Sequence, residues 1–155
     1  MVWKKRKKGN KHYQKGYRFE WECMWYLIYN GFDNVRSYAS KGICDIRSIP
    51  PRSCSIQTAL GVQCKDQQTE DYLNPKERAK LLGLSLQYHY LVVLFFKSNH
   101  KVYVKVKPWE LDNGVIMPPE EFLRKFYGMK GALTWKEYKE RQRNNTNIVK
   151  KSKDE

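Results

Sequence analysis

The sequence is poor in the residues that bind structural zinc. It contains four cysteines and three histidines, and no two cysteines form a C-x-x-C pair. Structural zinc sites in small domains usually depend on such pairs, so the spacing argues against a zinc finger. Cys44 and Cys64 are instead predicted to pack inward as small apolar side chains, with a disulfide as the open alternative.

Long apolar runs are also missing. No stretch is long enough to span a bilayer, and the basic N-terminus lacks the apolar segment and small-residue cleavage site of a secretory signal. We therefore expect a soluble, intracellular protein of the cytoplasm without a membrane partner. The 155 residues, 41% of them hydrophobic and 14% aromatic, are sufficient for one domain with one core.

Acidic residues are scarce relative to basic ones. The chain has 30 Lys and Arg against 16 Asp and Glu, which gives a net charge of +14, and residues 1–18 contain no acid. The basic residues of this segment are Lys4, Lys5, Arg6, Lys7, Lys8, Lys11, Lys15 and Arg18. Such a block repels itself and should stay mobile until it meets phosphates, so we expect a nucleic-acid partner. A solvated terminus or a localisation signal is the alternative for this segment.

What the sequence does contain is an ordered series of helix and strand patterns. The predicted elements are, in chain order, a helix at 17–29, strands at 34–39, 43–49 and 57–65, a helix at 74–88, and strands at 90–96 and 101–107. Asn30-Gly31 predicts a left-handed cap for the first helix, and Asn74-Pro75 predicts the start of the second. This order predicts an α/β fold with a mixed central five-stranded sheet flanked by helices.

Side-chain periodicity predicts which faces are buried. The second helix is expected to bury three apolar residues at helical spacing, Ala79, Leu82 and Leu86. Residues 101–107 alternate Lys with Val or Tyr, so one face of that strand should be buried and the other basic. Farther on, Pro118-Pro119 predicts a helix, and Thr134 predicts the capping box of a short last helix, with a frayed polar segment from residue 144.

The most informative segment runs from Asp45 to Lys65. Side chains alternate between the faces of a strand, so Gln63 and Lys65 share one face while Val62 and Cys64 point into the core. Pairing this strand with the one that carries Asp45 brings an acid, an amide and an amine together. An exposed ion pair between Asp45 and Lys65 is the non-functional alternative, which the apolar neighbours of Asp45 disfavour.

Glu20 is predicted to join this group from the first helix. It shares a helical face with Met24 and Leu27, whereas Glu22 lies about two hundred degrees around the helix and is expected to be exposed. An acid on an inward face has either an ionic partner or a function. Together these groups are the oxygen ligands and the cation that a divalent-metal phosphodiesterase needs.

The helix-β-β-β-α-β order, taken with Glu20, Asp45 and Gln63-Cys64-Lys65, resembles the PD-(D/E)XK nuclease superfamily and, within it, the archaeal Holliday junction resolvases. Further points of resemblance are Lys15-Gly16, Gly31-Phe32, Val35-Arg36 and Ala39-Ser40-Lys41-Gly42. The resemblance implies a restriction-endonuclease-like fold. The domains then expected are a flexible basic arm (1–14), a nuclease core (15–110), a C-terminal helical extension (111–143) and a polar basic tail (144–155).

The resemblance also implies a role for each matched residue of the site. Asp45 would hold the metal together with the Gln63 side chain and the backbone carbonyl of Cys64, and Glu20 would hold the metal or its waters. Lys65 would position or deprotonate the attacking water and stabilise the charge that builds on the phosphate. The implied cofactor is Mg²⁺, with Mn²⁺ as the alternative.

Two weaker correspondences and a set of basic residues complete the implied site. Ser40 resembles a serine close to the scissile phosphate, and Arg36 resembles a basic residue near the active surface. The residues expected to contact DNA are Lys4, Lys5, Arg6, Lys7, Lys8, Lys11, Lys15, Arg36 and Lys41.

Gln63 departs from the family pattern, which usually has Asp or Glu at this position. An amide oxygen carries no formal charge and holds Mg²⁺ more weakly, so either Glu20 becomes the second charged ligand or the protein binds DNA without cutting it well. The leading hypothesis is a Mg²⁺-dependent endonuclease for Holliday junctions or other branched DNA, acting in recombination and repair as a homodimer. The alternatives are a sequence-specific duplex endonuclease of restriction or homing type and a non-cleaving DNA-binding protein on the same scaffold.

Overall fold

The computed structural model describes residues 11–36, 44–66, 73–110 and 115–154. This part of the chain contains four helices and six strands. In chain order they are α1 (Lys11–Tyr29), β1 (Asp33–Arg36), β2 (Ile46–Ile49), β3 (Leu60–Lys65), α2 (Pro75–Tyr88), β4 (Leu91–Ser98), β5 (Lys101–Val106), β6 (Val115–Met117), α3 (Pro119–Tyr127) and α4 (Trp135–Asp154).

The strands form one mixed sheet in the order β1-β2-β3-β4-β5-β6. The pair β3 and β4 is parallel and is connected through α2, and the four other neighbouring pairs are antiparallel. The predicted α/β class and the helix-β-β-β-α-β order are therefore confirmed. The sheet has six strands rather than the predicted five. The sequence did not predict β6, because a strand of three residues is too short to show a strand period.

Helices cover both faces of the sheet. One buried cluster joins α1 and α3 to the sheet through residues such as Phe19, Tyr26 and Phe122. A smaller cluster lies under α2 and includes Leu81 and Leu84. The central strand β4 contributes to both clusters, which explains its continuous run of buried apolar residues.

The first helix begins at Lys11, earlier than predicted, and ends where the sequence indicated. Gly16 therefore lies inside the helix, where a single glycine costs only about 1 kcal/mol. At the other end Gly31 has a φ of 89°, and the N–H of Phe32 donates to the carbonyl of Leu27 at 3.0 Å. The left-handed cap satisfies carbonyls at the helix end and turns the chain into β1.

The prediction for the buried face of α2 was wrong. The structure buries Leu81 and Leu84, whereas Ala79, Leu82 and Leu86 are exposed. Both sets have helical spacing, so periodicity alone could not choose between them. The choice follows from β3, where Gly61 has no side chain and a Cβ there would lie 3.0 Å from Leu84.

The prediction for β5 was half right. Val102, Val104 and Val106 are buried as expected, but Lys105 on the other face is 1% exposed rather than part of an open basic surface. β6 pairs with β5 and places Ile116 opposite Lys105, so β5 is an interior strand rather than the edge of the sheet.

The C-terminal helices α3 and α4 contribute side chains to the buried cluster that also contains α1. The predicted capping box of α4 is confirmed, since Glu137 N–H donates to Thr134 Oγ1 at 3.1 Å. The Tyr26 hydroxyl donates to the carbonyl of Leu133 at 2.7 Å, and its ring lies 5.7 Å from that of Tyr138. α4 continues to Asp154, so the predicted short helix and frayed tail are replaced by one 20-residue helix. None of the helices in the described ranges is both long and apolar enough to cross a membrane.

Candidate active site

Asp45 lies immediately before β2, beside the third strand. Its Oδ2 accepts a hydrogen bond from the backbone N–H of Cys64 at 2.8 Å. Burial and the neighbouring negative charge of Glu20 raise the pKa of Asp45 to about 7, although the Cys64 hydrogen bond and the Lys65 charge oppose the shift. A carboxyl group in such surroundings is more stable when a cation is close, and this kind of perturbation is typical of functional sites.

Gln63 and Lys65 share one face of β3, as predicted. Val62 and Cys64 are buried in the core on the opposite face, whereas the side chains of Gln63 and Lys65 are partly exposed. Gly61 belongs to the same face as Gln63 and Lys65 and lies against α2. The side chains of Gln63 and Lys65 therefore face α2.

Lys65 has an ionic partner on α2 that the sequence did not reveal. Its Nζ lies 3.0 Å from Oε2 of Glu77, and the two side chains are 22% and 27% exposed. Glu77 is in turn attached to the helix cap, because its N–H donates to Asn74 Oδ1 at 2.9 Å and its Oε1 accepts from Asn74 Nδ2 at 2.9 Å. Nothing local in the sequence connects Glu77 with β3.

Glu20 also has a partner. Its Oε2 accepts from Nε and Nη2 of Arg36 at 3.2 and 2.9 Å, and both side chains are 18% exposed. The guanidinium of Arg36 lies 4.3 Å from the ring centre of Tyr17 and 5.6 Å from that of Trp21. Arg36 therefore holds Glu20 in place, and its predicted contact with DNA would have to compete with this ion pair.

Glu22 was predicted to be exposed, and this was wrong. Its side chain is 23% exposed and lies 3.2 Å from Lys139 Nζ and 3.9 Å from Lys97 Nζ. The first of these lysines belongs to α4, whose packing against α1 no helical period could predict. Lys97 also lies 3.6 Å from Asp66, the residue that follows Lys65.

For several residues of the predicted site, the structure gives no contacts or distances. Ser40 and Lys41 fall outside the described residues, as do Lys4, Lys5, Arg6, Lys7 and Lys8. Lys11 and Lys15 lie in the first turns of α1. Their proposed contacts with phosphate or DNA stay predictions.

The donor types around Asp45 fit Mg²⁺, although they do not form a complete set of acidic ligands. A carboxylate, the Gln63 amide and a backbone carbonyl are the hard oxygen ligands that this ion prefers. Within the ranges that the structure describes, no three His, Cys, Asp or Glu side chains are grouped as a metal site. The Cys64 N–H is already used by Asp45, and ligation by the Cys64 carbonyl stays a prediction.

Comparisons with known proteins give a likeness to solved structures alone. No protein-family model matches the sequence. No curated protein matches it at a significant level. A similar solved structure is that of Archaeoglobus fulgidus Hjc, a Holliday junction resolvase from an archaeal hyperthermophile, with 19% identity, a TM-score of 0.48, and coverage of 66% of this chain and 87% of that one. At this identity and TM-score the likeness carries no functional weight, so function has to be inferred from the chain's own residues.

Proposed function

We propose that the protein is a Mg²⁺-dependent DNA endonuclease that prefers Holliday junctions or other branched DNA. The observation that supports this most directly is the environment of Asp45. Its partly buried carboxyl group accepts a hydrogen bond from the backbone of β3, the strand that also carries Gln63 and Lys65. Such a group requires a positive partner, and a hydrated dication beside a phosphodiester would provide one.

Each side chain has a distinct part in this proposal. When bound, Mg²⁺ supplies a Lewis acid that stabilises the charge developing on the phosphate. Asp45 and the Gln63 amide would hold it, and Lys65 would place an ammonium group where the phosphate becomes more negative. Glu20, fixed by Arg36, would keep further negative charge near the ion.

The substrate class is suggested by charge. A net charge of +14 and an N-terminal segment with eight basic residues and no acid favour a polyanionic partner. A four-way junction presents two equivalent strands, which a twofold homodimer matches with two active sites. We therefore include dimerisation in the proposal.

A non-cleaving DNA-binding protein is the second candidate, and a specific observation favours it. The described residues hold no group of three acidic or other strong metal ligands, position 63 is a neutral amide, and Glu20 is committed to Arg36. Such a protein would keep the basic surface and the scaffold without the catalytic ion.

One experiment separates these functions from each other. The purified full-length protein is incubated with Mg²⁺ and, separately, a labelled four-way junction, a matching linear duplex and a single strand, with chelator as the control. Paired symmetric nicks in the junction are the expected result, and the Asp45→Asn variant should give none. Cutting at one duplex sequence would instead indicate a restriction- or homing-type enzyme. Binding of all three DNAs without any product would refute the nuclease.

A further inference from the structure

We infer that Tyr17 forms a stacking site for a nucleobase exposed at the branch point of the DNA, and that this contact selects branched DNA over linear duplex. The inference rests on the proposed function, because it concerns the DNA that would be cut. It assigns a role to a residue that lies outside the proposed metal site.

The first support is the exposure of an aromatic ring on α1. Tyr17 is 41% exposed, whereas the neighbouring Phe19 is 1% exposed and packs in the core. An exposed ring offers a flat apolar surface, and every nucleobase has a π-face that can stack on such a surface. Tyr17 therefore has the chemistry and the accessibility that base stacking needs.

The second support is that two contacts hold the Tyr17 ring in place. The Arg36 guanidinium lies 4.3 Å from its ring centre, and the Trp21 ring meets it in an edge contact at 6.0 Å between centres. Arg36 is itself fixed by its hydrogen bonds to Glu20. A ring that is already ordered loses little side-chain entropy when a planar group stacks on it, so this surface is preorganised for binding.

The third support is the position of Tyr17 beside the candidate active site. Glu20 follows it by three residues, which is about 4.5 Å along the axis of α1 and on the same side of the helix. Arg36 contacts both residues. The charge of Glu20 is in turn close enough to Asp45 to raise the pKa of its carboxyl group. A base on Tyr17 therefore belongs to a nucleotide near the bond that would be cut.

The charge around Tyr17 suits a nucleotide. Arg18 is exposed beside it, and residues 1–18 contain no acid. Glu20, the acid one turn on, is paired with Arg36. The phosphates that flank a stacked base would lie among these cations. Proteins that bind unpaired nucleotides without reading their sequence combine aromatic rings and basic side chains in this way.

Stacking on Tyr17 distinguishes branched DNA from linear duplex through the cost of reaching a base. In a linear duplex both faces of an internal base are covered by its neighbours, and unstacking the base costs free energy. The helical stack is interrupted at a branch point, so a base face is reached there at a lower cost. The contact therefore gives a preference for DNA structure rather than for a base sequence.

The test compares the junction and duplex affinities of Tyr17 variants by gel shift, in chelator so that no DNA is cut. The full-length wild type, Tyr17→Phe and Tyr17→Leu are titrated with a four-way junction and with a linear duplex of matching sequence. Tyr17→Phe keeps the ring and loses only the hydroxyl, whereas Tyr17→Leu keeps an apolar side chain that cannot stack. Melting curves followed by circular dichroism check that each variant is folded.

Trp25→Leu is the matched control. Trp25 lies on the same helix, is 40% exposed, and has its own ring contact with Tyr29 at 6.4 Å. It follows Tyr17 by eight residues, which is about 12 Å along the helix axis. Its replacement should leave the ratio of junction to duplex affinity unchanged.

We expect Tyr17→Leu to weaken junction binding by about 5- to 100-fold, the range for the loss of one base–aromatic stack, and to leave duplex binding unchanged. Tyr17→Phe should bind both DNAs as the wild type does. A junction with abasic sites at its branch point supplies the reciprocal change. The wild type should lose affinity for it, and Tyr17→Leu should bind it no more weakly than the intact junction.

The inference is overturned if Tyr17→Leu keeps the wild-type junction affinity, if it weakens junction and duplex binding equally, or if the abasic sites weaken its binding as much as that of the wild type. Cleavage with Mg²⁺ by the same preparations separates this result from the proposed function. A wild type that shows the expected binding but cuts no junction would refute the nuclease and support the stacking site. A wild type that binds both DNAs equally would refute the preference for branched DNA and the stacking site together.

Discussion

Replacing Asp45 by Asn should stabilise the metal-free protein at pH 8 while abolishing cleavage. The pKa of this carboxyl is raised from 3.8 to about 7 in the folded state, first by burial and then by Glu20. The folded state binds the Asp45 proton more tightly than the unfolded state does. Protonation therefore stabilises the fold fully below pH 3.8, and this stabilisation is lost as the pH rises to about 7. Asparagine lacks the charge and can still accept the hydrogen bond from Cys64, so it escapes this loss.

The magnitude follows from the shift. Each unit of pKa difference corresponds to about 1.4 kcal/mol. The rise from 3.8 to about 7 therefore sets an upper limit of about 4 kcal/mol on the change in unfolding free energy. The difference in unfolding free energy between Asp45→Asn and the wild type should therefore increase by up to this amount between pH 4 and pH 8. Urea denaturation in the presence of chelator, at intervals of half a pH unit, measures it.

Two controls make the experiment decisive. Asp33→Asn changes an exposed aspartate in β1 and should show no such trend. Adding Mg²⁺ should stabilise the wild type at pH 8 and leave Asp45→Asn unaffected, because the variant lacks the carboxylate proposed to hold the ion. A difference between Asp45→Asn and the wild type that stays constant with pH, or an Asn variant that is less stable at pH 8, would contradict the proposed environment of Asp45.

Three further predictions concern the residues around the site. Lys65→Ala should abolish junction cleavage and leave junction affinity, measured by gel shift, within a few-fold; full cleavage would exclude its role. Arg36→Ala should lower the unfolding free energy by about 2 kcal/mol, because Glu20 loses two charged hydrogen bonds. Arg36→Lys should recover part of this loss. An Ala variant as stable as the wild type would mean that the pair is not formed in solution. Gly61→Ala should cost about 1–3 kcal/mol through overpacking against α2. Gly83→Ala, which meets nothing within 4 Å, should stabilise by about 0.4–1 kcal/mol, and equal effects at the two glycines would contradict the packing.

The local features of this fold could be predicted because neighbouring residues determine them. Gly31 ends α1, Asn74 and Thr134 begin α2 and α4, and each of these caps depends on residues within one turn. The shared face of Gln63 and Lys65 follows in the same way from the alternation of a strand.

The predictions that failed depended on a packing choice. α2 carries two apolar stripes at helical spacing, and the absence of a side chain at Gly61 decided which one is buried. Lys105 looked like a surface residue, but it is buried in a strand that has a neighbour on each side. Glu22 looked exposed until α4 brought Lys139 to it.

The candidate site also combines features that local sequence determines with features that depend on tertiary packing. The sequence by itself determined the order of the elements as far as β5, the caps of α1, α2 and α4, and the residue types that Asp45, Gln63 and Lys65 bring to β3 and the start of β2. Only the tertiary structure decided that Arg36 holds Glu20 and that Glu77 faces Lys65. Contacts of this kind join a helix to a strand, and their geometry depends on which helix face packs on the sheet, a choice that local periodicity does not contain.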